Sequence, residues 1–279
     1  MVTAIIQARM GASRLPGKVL LPLPFENAHR QTVLSQVCRR VSSVSGIEKI
    51  IVATTESMAD APIAEWVSGS VFALFRGAEA DVLSRYYHAA RESEAETVIR
   101  ITADCPCLDS AVISAMLNAY QSSDADYLSN TLERSFPHGL DAEIFSFNAL
   151  EKAYHEAQKD FEREHVTPYL YKSGKFKCIN YTNPDYEEGI EKIRVTLDTP
   201  EDYTLICALY SLLKRDFSCA DICKAFEKYK WLKMINASII QKKVYDSFED
   251  EIRDALAFLC RQDMVRAAGA LMRLVELPE

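Results

Sequence analysis

The chain opens with an apolar strand that runs directly into a basic, glycine-containing loop, and this junction constrains the fold more than any other stretch. Residues 3–8 form a near-continuous apolar run, which is typical of a strand buried on both faces. The following loop has two glycines, a proline of fixed φ and three cations, Arg9, Arg14 and Lys18. The first acidic residue is Glu26, so these cations have no nearby partner in the sequence. We therefore expect the loop to face a polyanion, most simply a phosphate.

Two familiar phosphate motifs do not fit this loop. A Walker A loop has four residues between its glycines and a Ser or Thr after its lysine, whereas five residues separate Gly11 from Gly17 and Val19 follows Lys18. The dinucleotide fingerprint GxGxxG is absent as well. A mobile basic loop that closes a sheet edge is the alternative interpretation. The order strand, Gly, Arg, Pro-Gly-Lys favours phosphate binding.

Strands alternate with helices through the first half of the chain. This alternation implies right-handed βαβ crossovers and a mainly parallel sheet. The sequence therefore predicts an α/β fold that is Rossmann-like in its first half. The runs that we interpret as strands are residues 3–8, 49–54, 71–75, 97–101, 125–129, 176–181 and 192–196, and the loop over residues 136–145 is expected to enter a further short strand.

Composition excludes several classes of protein. With 279 residues, 48% of them hydrophobic and 26% charged, the chain is long enough to bury a large core. The net charge is −8, and the excess of basic residues is confined to residues 1–47, so a nucleic-acid partner is disfavoured. No signal peptide and no apolar run of transmembrane length is found, so we expect no membrane insertion. The 8 cysteines are scattered without zinc-site spacing, which favours reduced thiols and a cytoplasmic location.

The run IIQARMGASRLPGK, residues 5–18, resembles the nucleotide-binding signature of the sugar cytidylyltransferases. It is most similar to the spore-coat polysaccharide biosynthesis branch, and less so to the CMP-3-deoxy-manno-octulosonate and CMP-acylneuraminate synthetases. The resemblance implies a three-layer nucleotidyltransferase fold with a mixed, mainly parallel sheet. It also implies a CTP-dependent enzyme that activates an acidic sugar. Because short motifs of the family recur to about residue 241, we expect a cytidylyltransferase domain over residues 1–241.

Two aspartates are candidate ligands of Mg²⁺. Asp104 follows the fourth predicted strand and precedes a proline, which is a suitable place for a metal carboxylate, although it could merely cap a turn or helix. Asp198 precedes a predicted helix with Pro200 in its first turn, so capping explains it as well. In the resembling families, segments like these supply the metal carboxylates. The resemblance therefore implies that Asp104 and Asp198 hold Mg²⁺ together.

A Pro-Gly punctuated loop over residues 136–145 is the first candidate for sugar binding. It contains His138, Asp141 and Glu143. Strand alternation would place the two carboxylates on one face, where they could accept hydrogen bonds from sugar hydroxyls. A solvated strand face is the alternative. The resembling families have a similar G-x-D-x-E-x-F segment in the acceptor site, which favours the sugar role.

A second candidate for sugar binding is the run Arg163, Glu164 and His165. Similar R-E-H-V-T-P runs occur in the spore-coat branch. The cation and the imidazole could bind the carboxylate of an acidic sugar, or they could form ion pairs across a homodimer interface. The sequence does not separate these alternatives.

The resemblance ends near residue 243, and a C-terminal helical extension over residues 242–279 is expected after it. Apolar residues recur at helical spacing over residues 247–259 and 262–274. A helix pair of this size is not stable alone, so it must pack on the main domain, a second subunit or another protein.

The resulting hypothesis is a cytidylyltransferase that binds CTP and an acidic sugar. Alternatives are a nucleotidyltransferase of the same fold that uses another nucleotide or a phosphonate or polyol phosphate acceptor, and a non-catalytic scaffold protein. The loop cations Arg9, Arg14 and Lys18 are assigned to the β- and γ-phosphates. The nucleotide site is assigned to Gln7, Ala8, Arg9, Gly11, Arg76, Gly77 and Asp104.

Overall fold

The computed structural model describes residues 1–25, 31–239 and 248–275. The chain divides into two compact units, Met1–Ser238 and Ile239–Glu279. The predicted domain boundary at residues 241–242 lies outside the described residues. The strands are β1 (Val2–Gln7), β2 (Lys49–Thr55), β3 (Ala73–Gly77), β4 (Thr97–Thr102), β5 (Tyr127–Ser129), β6 (Glu143–Ser146) and β7 (Cys178–Asn180).

Seven strands of the first unit form one sheet in the order β3-β2-β1-β4-β6-β5-β7. The four strands β3, β2, β1 and β4 are parallel, β6 is antiparallel to β4 and to β5, and β7 is parallel to β5. This order confirms the prediction of a mixed, mainly parallel sheet. The helices are α1 (Val33–Ser42), α2 (Ala61–Ser68), α3 (Val82–Glu92), α4 (Ser110–Gln121), α5 (Phe147–Glu156), α6 (Asp160–His165), α7 (Pro168–Lys172), α8 (Pro200–Leu212), α9 (Cys219–Lys228), α10 (Leu232–Ile235), α11 (Phe248–Arg261) and α12 (Val265–Val275).

Helices cover both faces of the sheet, as the alternating sequence predicts. On β1, Val2, Ala4 and Ile6 join the core beneath α1, α2 and α4, whereas Ile5 joins the core beneath α3 and α5. A strand with apolar side chains on both faces needs a layer of helices on each side. A third core, beside the sheet, is formed by apolar residues of α8, α9 and α10, and Val195 and Leu197 pack in it.

Several predicted boundaries differ from the observed ones. The third strand begins two residues later than predicted, so Arg76 and Gly77 are its last residues and do not follow it. The strand predicted over residues 192–196 is wrong: its residues form one isolated bridge, between His138 and Arg194. The reason is that His138 lies between Pro137, which has no N–H to donate, and Gly139, whose φ of 106° is not a strand conformation, so the pairing does not extend on either side.

The second unit contains the two predicted C-terminal helices. They are α11 and α12, and they pack against each other. The chain turns between them at Asp263, which has a φ of 53°. The predicted helix start at residue 247 lies outside the described residues. Among the helices of the described ranges, none is both long enough and apolar enough to cross a lipid bilayer.

Candidate active site

The loop after β1 folds around one carbonyl group. The oxygen of Met10 accepts hydrogen bonds from the backbone N–H groups of Ala12 and Gly17, both at 2.9 Å. Gly17 has a φ of 71°, which a glycine adopts without the strain of other residues. A short 3-10 turn, Lys18–Leu20, follows it. The loop therefore returns to the sheet edge with the Lys18 side chain inside the protein.

The Lys18 ammonium group contacts both predicted metal carboxylates. It donates to Asp104 Oδ2 at 2.8 Å, to Asp198 Oδ1 at 2.8 Å and to the carbonyl oxygen of Leu197 at 2.6 Å. Burial alone lowers the pKa of Lys18, but attraction by the two carboxylates outweighs burial and raises it. The loop has no acidic residue near it in the sequence, yet Lys18 is paired, because its partners are close in space and distant in sequence.

Backbone hydrogen bonds hold the two aspartate segments together. The carbonyl oxygen of Asp104, just beyond β4, accepts from the N–H of Leu197 at 2.8 Å and from Thr196 Oγ1 at 3.3 Å. Asp198 follows this contact directly, and Thr199 caps α8 through a capping box with Asp202. The predicted helix cap therefore exists, but it is made by Thr199, and the Asp198 side chain is left to face Lys18.

Asp198 is surrounded by cations. Besides Lys18, its carboxylate contacts Arg14 at 3.2 Å and Arg194 at 2.7 Å. Burial raises the pKa of Asp198, but Lys18 and Arg194 more than offset it and hold the pKa below its usual value. Arg194 also binds both oxygens of the fully buried Asp202, at 3.0 and 2.9 Å. The sequence interpretation missed Arg194, although its spacing of four residues from Asp198 was visible.

Gly139 sets the position of the segment that leads to Asp198. Its φ is 106°, and a Cβ atom at this residue would lie 2.6 Å from the backbone nitrogen of Thr196 and 2.6 Å from the carbonyl carbon of Val195. His138 exchanges backbone hydrogen bonds with Ile193 and Val195, at 2.9 and 2.7 Å. This close contact requires a glycine. It brings the predicted sugar-binding loop next to the Lys18 cluster, the group formed by Lys18, Arg14, Arg194, Asp104, Asp198 and Asp202.

The polar groups of this loop have separate partners. Asp141 binds Arg134 through both oxygens, at 2.7 and 3.1 Å, whereas Glu143 accepts from Arg100 at 3.0 Å. The predicted pairing of the two carboxylates on one strand face is not observed, because β6 begins only at Glu143. Burial and the nearby arginines lower the pKa of the half-buried His138 to about 4.

The predicted nucleotide-binding residues lie at the carboxyl edge of the parallel strands. The side chain of Gln7 accepts from Arg100 at 3.2 Å, and Ala8 donates its N–H to Ala53. Arg9 and Gly11 are exposed, and Arg9 has no ion pair within the described part of the chain. Gly77 closes β3, and the guanidinium group of its neighbour Arg76 donates to the carbonyls of Thr55 and Ser57, at 2.9 and 3.0 Å.

The run Arg163–Glu164–His165 ends α6. Arg163 donates to Asp81 Oδ2 at 2.9 Å and to the carbonyl oxygen of Tyr154 at 2.9 Å, so it ties α6 to the start of α3. Glu164 is exposed and His165 is half-buried. The contacts of Arg163 are therefore within its own chain, and a role of this run in sugar binding stays a prediction.

The donor set at the cluster suits a nucleotide-bound Mg²⁺. Within the described ranges, no group of three or more His, Cys, Asp or Glu side chains could hold a metal by itself. Magnesium, however, commonly uses one or two carboxylates and completes its octahedron with phosphates and water. Asp104 and Asp198 already surround one cation, the Lys18 ammonium, so they are close enough to share an ion.

The chain is similar to known proteins in both sequence and structure. The family model described as cytidylyltransferase matches residues 3–247. A spore coat polysaccharide biosynthesis protein of Bacillus subtilis is 31% identical over 209 residues, 74% of this chain and 85% of its own length. A 3-deoxy-manno-octulosonate cytidylyltransferase of Hydrogenovibrio crunogenus is 28% identical over 143 residues, 50% of this chain and 55% of its own. The structure of a cytidylyltransferase from Leptospira borgpetersenii superposes with a TM-score of 0.76 at 32% identity, and covers 88% of this chain and 98% of its own.

Proposed function

The chain belongs to the cytidylyltransferase family, and we propose that it transfers the cytidylyl group of CTP to a hydroxyl group of an acidic sugar. The acceptor is a nonulosonic or octulosonic acid, and the products are a CMP-sugar and pyrophosphate. The name of the Bacillus relative supports a role in surface polysaccharide or glycan synthesis, and the name of the Hydrogenovibrio relative supports an acidic acceptor. The eight free thiols suit a cytoplasmic enzyme, and a homodimer is its proposed assembly.

The observation that carries this proposal is the contact of Lys18 with Asp104 and Asp198. Arg9, Arg14 and Lys18 stand at the edge of the sheet where parallel α/β proteins bind ligands. In our proposal they bind the β- and γ-phosphates and neutralise the charge of the departing pyrophosphate. Positioning and electrostatic stabilisation supply most of the acceleration in such transfers, so no covalent intermediate is needed.

Mg²⁺ is the proposed cofactor, with Asp104 and Asp198 as its protein ligands. When bound, the ion neutralises charge on the triphosphate and so assists attack at the α-phosphorus. The backbone of Gln7, Ala8 and Arg9, with Gly11, is assigned to the nucleotide. Arg76 and Gly77 are assigned to the same nucleotide site. Two hydrogen bonds to backbone carbonyls fix the position of the Arg76 guanidinium group, and a group held in this way suits recognition of a base.

The acceptor sugar is assigned to the loop on the other side of the cluster. Contact between Gly139 and Val195 brings this loop close to Asp198, which supports a sugar site there. His138 would be neutral at physiological pH, because its pKa is about 4, and it could accept a hydrogen bond from a sugar hydroxyl. The remaining candidates for this site are Asp141, Glu143, Arg163, Glu164 and His165.

Pyrophosphate release with each of the four nucleoside triphosphates tests the nucleotide assignment. The assay is run with a panel of nonulosonic and octulosonic acids, and the products are weighed by mass spectrometry. We expect release with CTP and an acidic sugar, and a product mass equal to the CMP-sugar. Faster pyrophosphate release with UTP, GTP or dTTP would show that another nucleotide is the substrate. A product formed only with a phosphonate or polyol phosphate would show that the acceptor is not an acidic sugar. Absence of Mg-CTP binding in calorimetry would support a scaffold protein.

Replacement of Lys18 tests the loop. Lys18→Ala is expected to lower turnover by more than about tenfold, because a hydrogen bond to a charged group contributes roughly 1.5 to 3 kcal/mol. Lys177→Ala, at an exposed ion pair with Asp124, is the matched control for loss of a lysine. Unchanged turnover by a folded Lys18→Ala protein would remove the loop from the mechanism.

A further inference from the structure

The Lys18 ammonium group has no donor left for a phosphate. An ammonium group has three N–H donors, and those of Lys18 are directed at two carboxylates and one carbonyl. Its side chain is only 10% exposed. Lys18 can therefore bind a triphosphate only after it releases at least one of these acceptors.

The charges of the cluster are balanced without any ligand. Three cationic side chains face three carboxylates, so the cluster is formally neutral. An extra divalent cation would leave the half-buried cluster with two uncompensated positive charges, which is unfavourable in such surroundings. The cations are Lys18, Arg14 and Arg194, and the carboxylates are Asp104, Asp198 and Asp202.

We propose that Lys18 is a placeholder for the divalent cation, and that nucleotide binding exchanges one for the other. This inference rests on the proposed function, since it assumes that Asp104 and Asp198 are the ligands of the metal. Without nucleotide, the lysine neutralises both carboxylates and excludes the ion. When the triphosphate binds, the ammonium group of Lys18 pairs with its phosphates. The two carboxylates are then free to bind the divalent ion that accompanies the nucleotide.

The local structure allows this exchange. Lys18 stands at the start of a three-residue 3-10 turn, and Gly17 precedes it in a left-handed conformation. Residues Gly11, Ser13, Arg14 and Pro16 of the same loop are exposed, so a nucleotide can reach it from solvent. The four-carbon side chain of a lysine is flexible enough to move its charge between neighbouring anions.

A consequence is a strong thermodynamic coupling between metal and nucleotide. The metal alone must displace a paired, buried ammonium group and leave it without an anionic partner, whereas the nucleotide provides that partner. By linkage, the nucleotide raises the affinity for the metal by the same factor as the metal raises the affinity for the nucleotide. A neutral side chain at residue 18 removes the competitor and leaves the cluster with one unpaired carboxylate.

Titration with Mn²⁺ alone tests the placeholder, with free Mn²⁺ followed by electron paramagnetic resonance. We expect Lys18→Met to bind Mn²⁺ without nucleotide at least about tenfold more tightly than the wild type. Lys18→Arg keeps the charge and should bind Mn²⁺ as weakly as the wild type. Adding Asp104→Asn to Lys18→Met should abolish the gain, which locates the ion at the cluster.

The proposal is overturned if the wild type binds Mn²⁺ without nucleotide as tightly as Lys18→Met does. It is also overturned if Lys18→Arg gains as much affinity for Mn²⁺ as Lys18→Met does, since the positive charge at residue 18 would then not be what excludes the ion. Lys18→Gln replaces Lys18→Met if the latter does not fold. The titration contains no nucleotide and no sugar, so failure of the proposed reaction would not change its outcome.

Discussion

Gly139→Ala is the substitution whose effect the structure defines best. The residue has a φ of 106°, and the added Cβ would lie 2.6 Å from two backbone atoms and 2.7 Å from the carbonyl oxygen of Val195. Atoms of the main chain do not rotate away as a side chain does. The loop must therefore separate from residues 193–198, which include the two Lys18 acceptors Leu197 and Asp198.

The expected loss of folding stability has two parts, which a matched control variant separates. Gly189 has a φ of 102° but nothing within 4 Å of its Cβ position, so Gly189→Ala carries the conformational cost alone. That cost is about 1 to 2 kcal/mol. Gly139→Ala carries the same cost and in addition an overpacking term of about 1 to 3 kcal/mol. We expect the free energy of unfolding to fall by roughly 2 to 5 kcal/mol.

Urea denaturation of the two variants measures both parts. CTP binding by calorimetry is then measured on the folded proteins: Gly189→Ala should retain the wild-type affinity, and Gly139→Ala should lose affinity because the Asp198 segment is displaced. Equal losses of stability in the two variants would refute the argument from backbone contact. Loss of stability with unchanged CTP affinity would show that the segment does not position the nucleotide site.

Two further predictions concern polar side chains that are partly or largely buried. Because the pKa of His138 is about 4 in the folded protein and its usual value is 6.5, the unfolded chain binds the proton first, and stability falls as the pH drops from 6.5 to 4. Urea denaturation at several pH values should therefore show that the wild type loses stability relative to His138→Gln as the pH falls. A difference that does not change with pH would contradict this prediction. Arg100→Met leaves Glu143 buried without its partner and should cost about 3 to 5 kcal/mol, whereas Lys177→Met, which breaks an exposed pair with Asp124, should change stability little. Similar losses in these two variants would mean that the Arg100 pair is not effectively buried.

The sequence predicted the architecture because its signals are local. The apolar runs of β1, β2 and β4 and the helical periodicity between them are readable within windows of ten residues. The mixed sheet and the nucleotidyltransferase topology came from the resemblance. The predicted strand at residues 192–196 failed because an extended segment becomes a strand only if its neighbour offers a ladder, and that neighbour, around Gly139, is distant in sequence.

The candidate site was predictable only in its anchor residues. Lys18, Asp104 and Asp198 each stand at a recognisable loop or strand end, so pattern and resemblance found them. The resemblance implied that Asp104 and Asp198 lie close together, but the direct contacts of Lys18 with both were not predicted, since hydrogen-bond partners separated by 86 and 180 residues leave no mark in local sequence. The same holds for Arg100, an arginine inside a strand, whose largely buried pairing with Glu143 only the sheet order reveals.

The wide separation of the three anchors has a consequence for biosynthesis. A nascent chain that has emerged only as far as α4 already possesses the loop with Lys18, yet it lacks the carboxylate that arrives with residue 198. Contacts between such distant residues form slowly, because a long loop must close, at a cost in chain entropy, before the contacts can stabilise the fold. The cluster is thus completed late in maturation, and a chain truncated before residue 198 cannot form it.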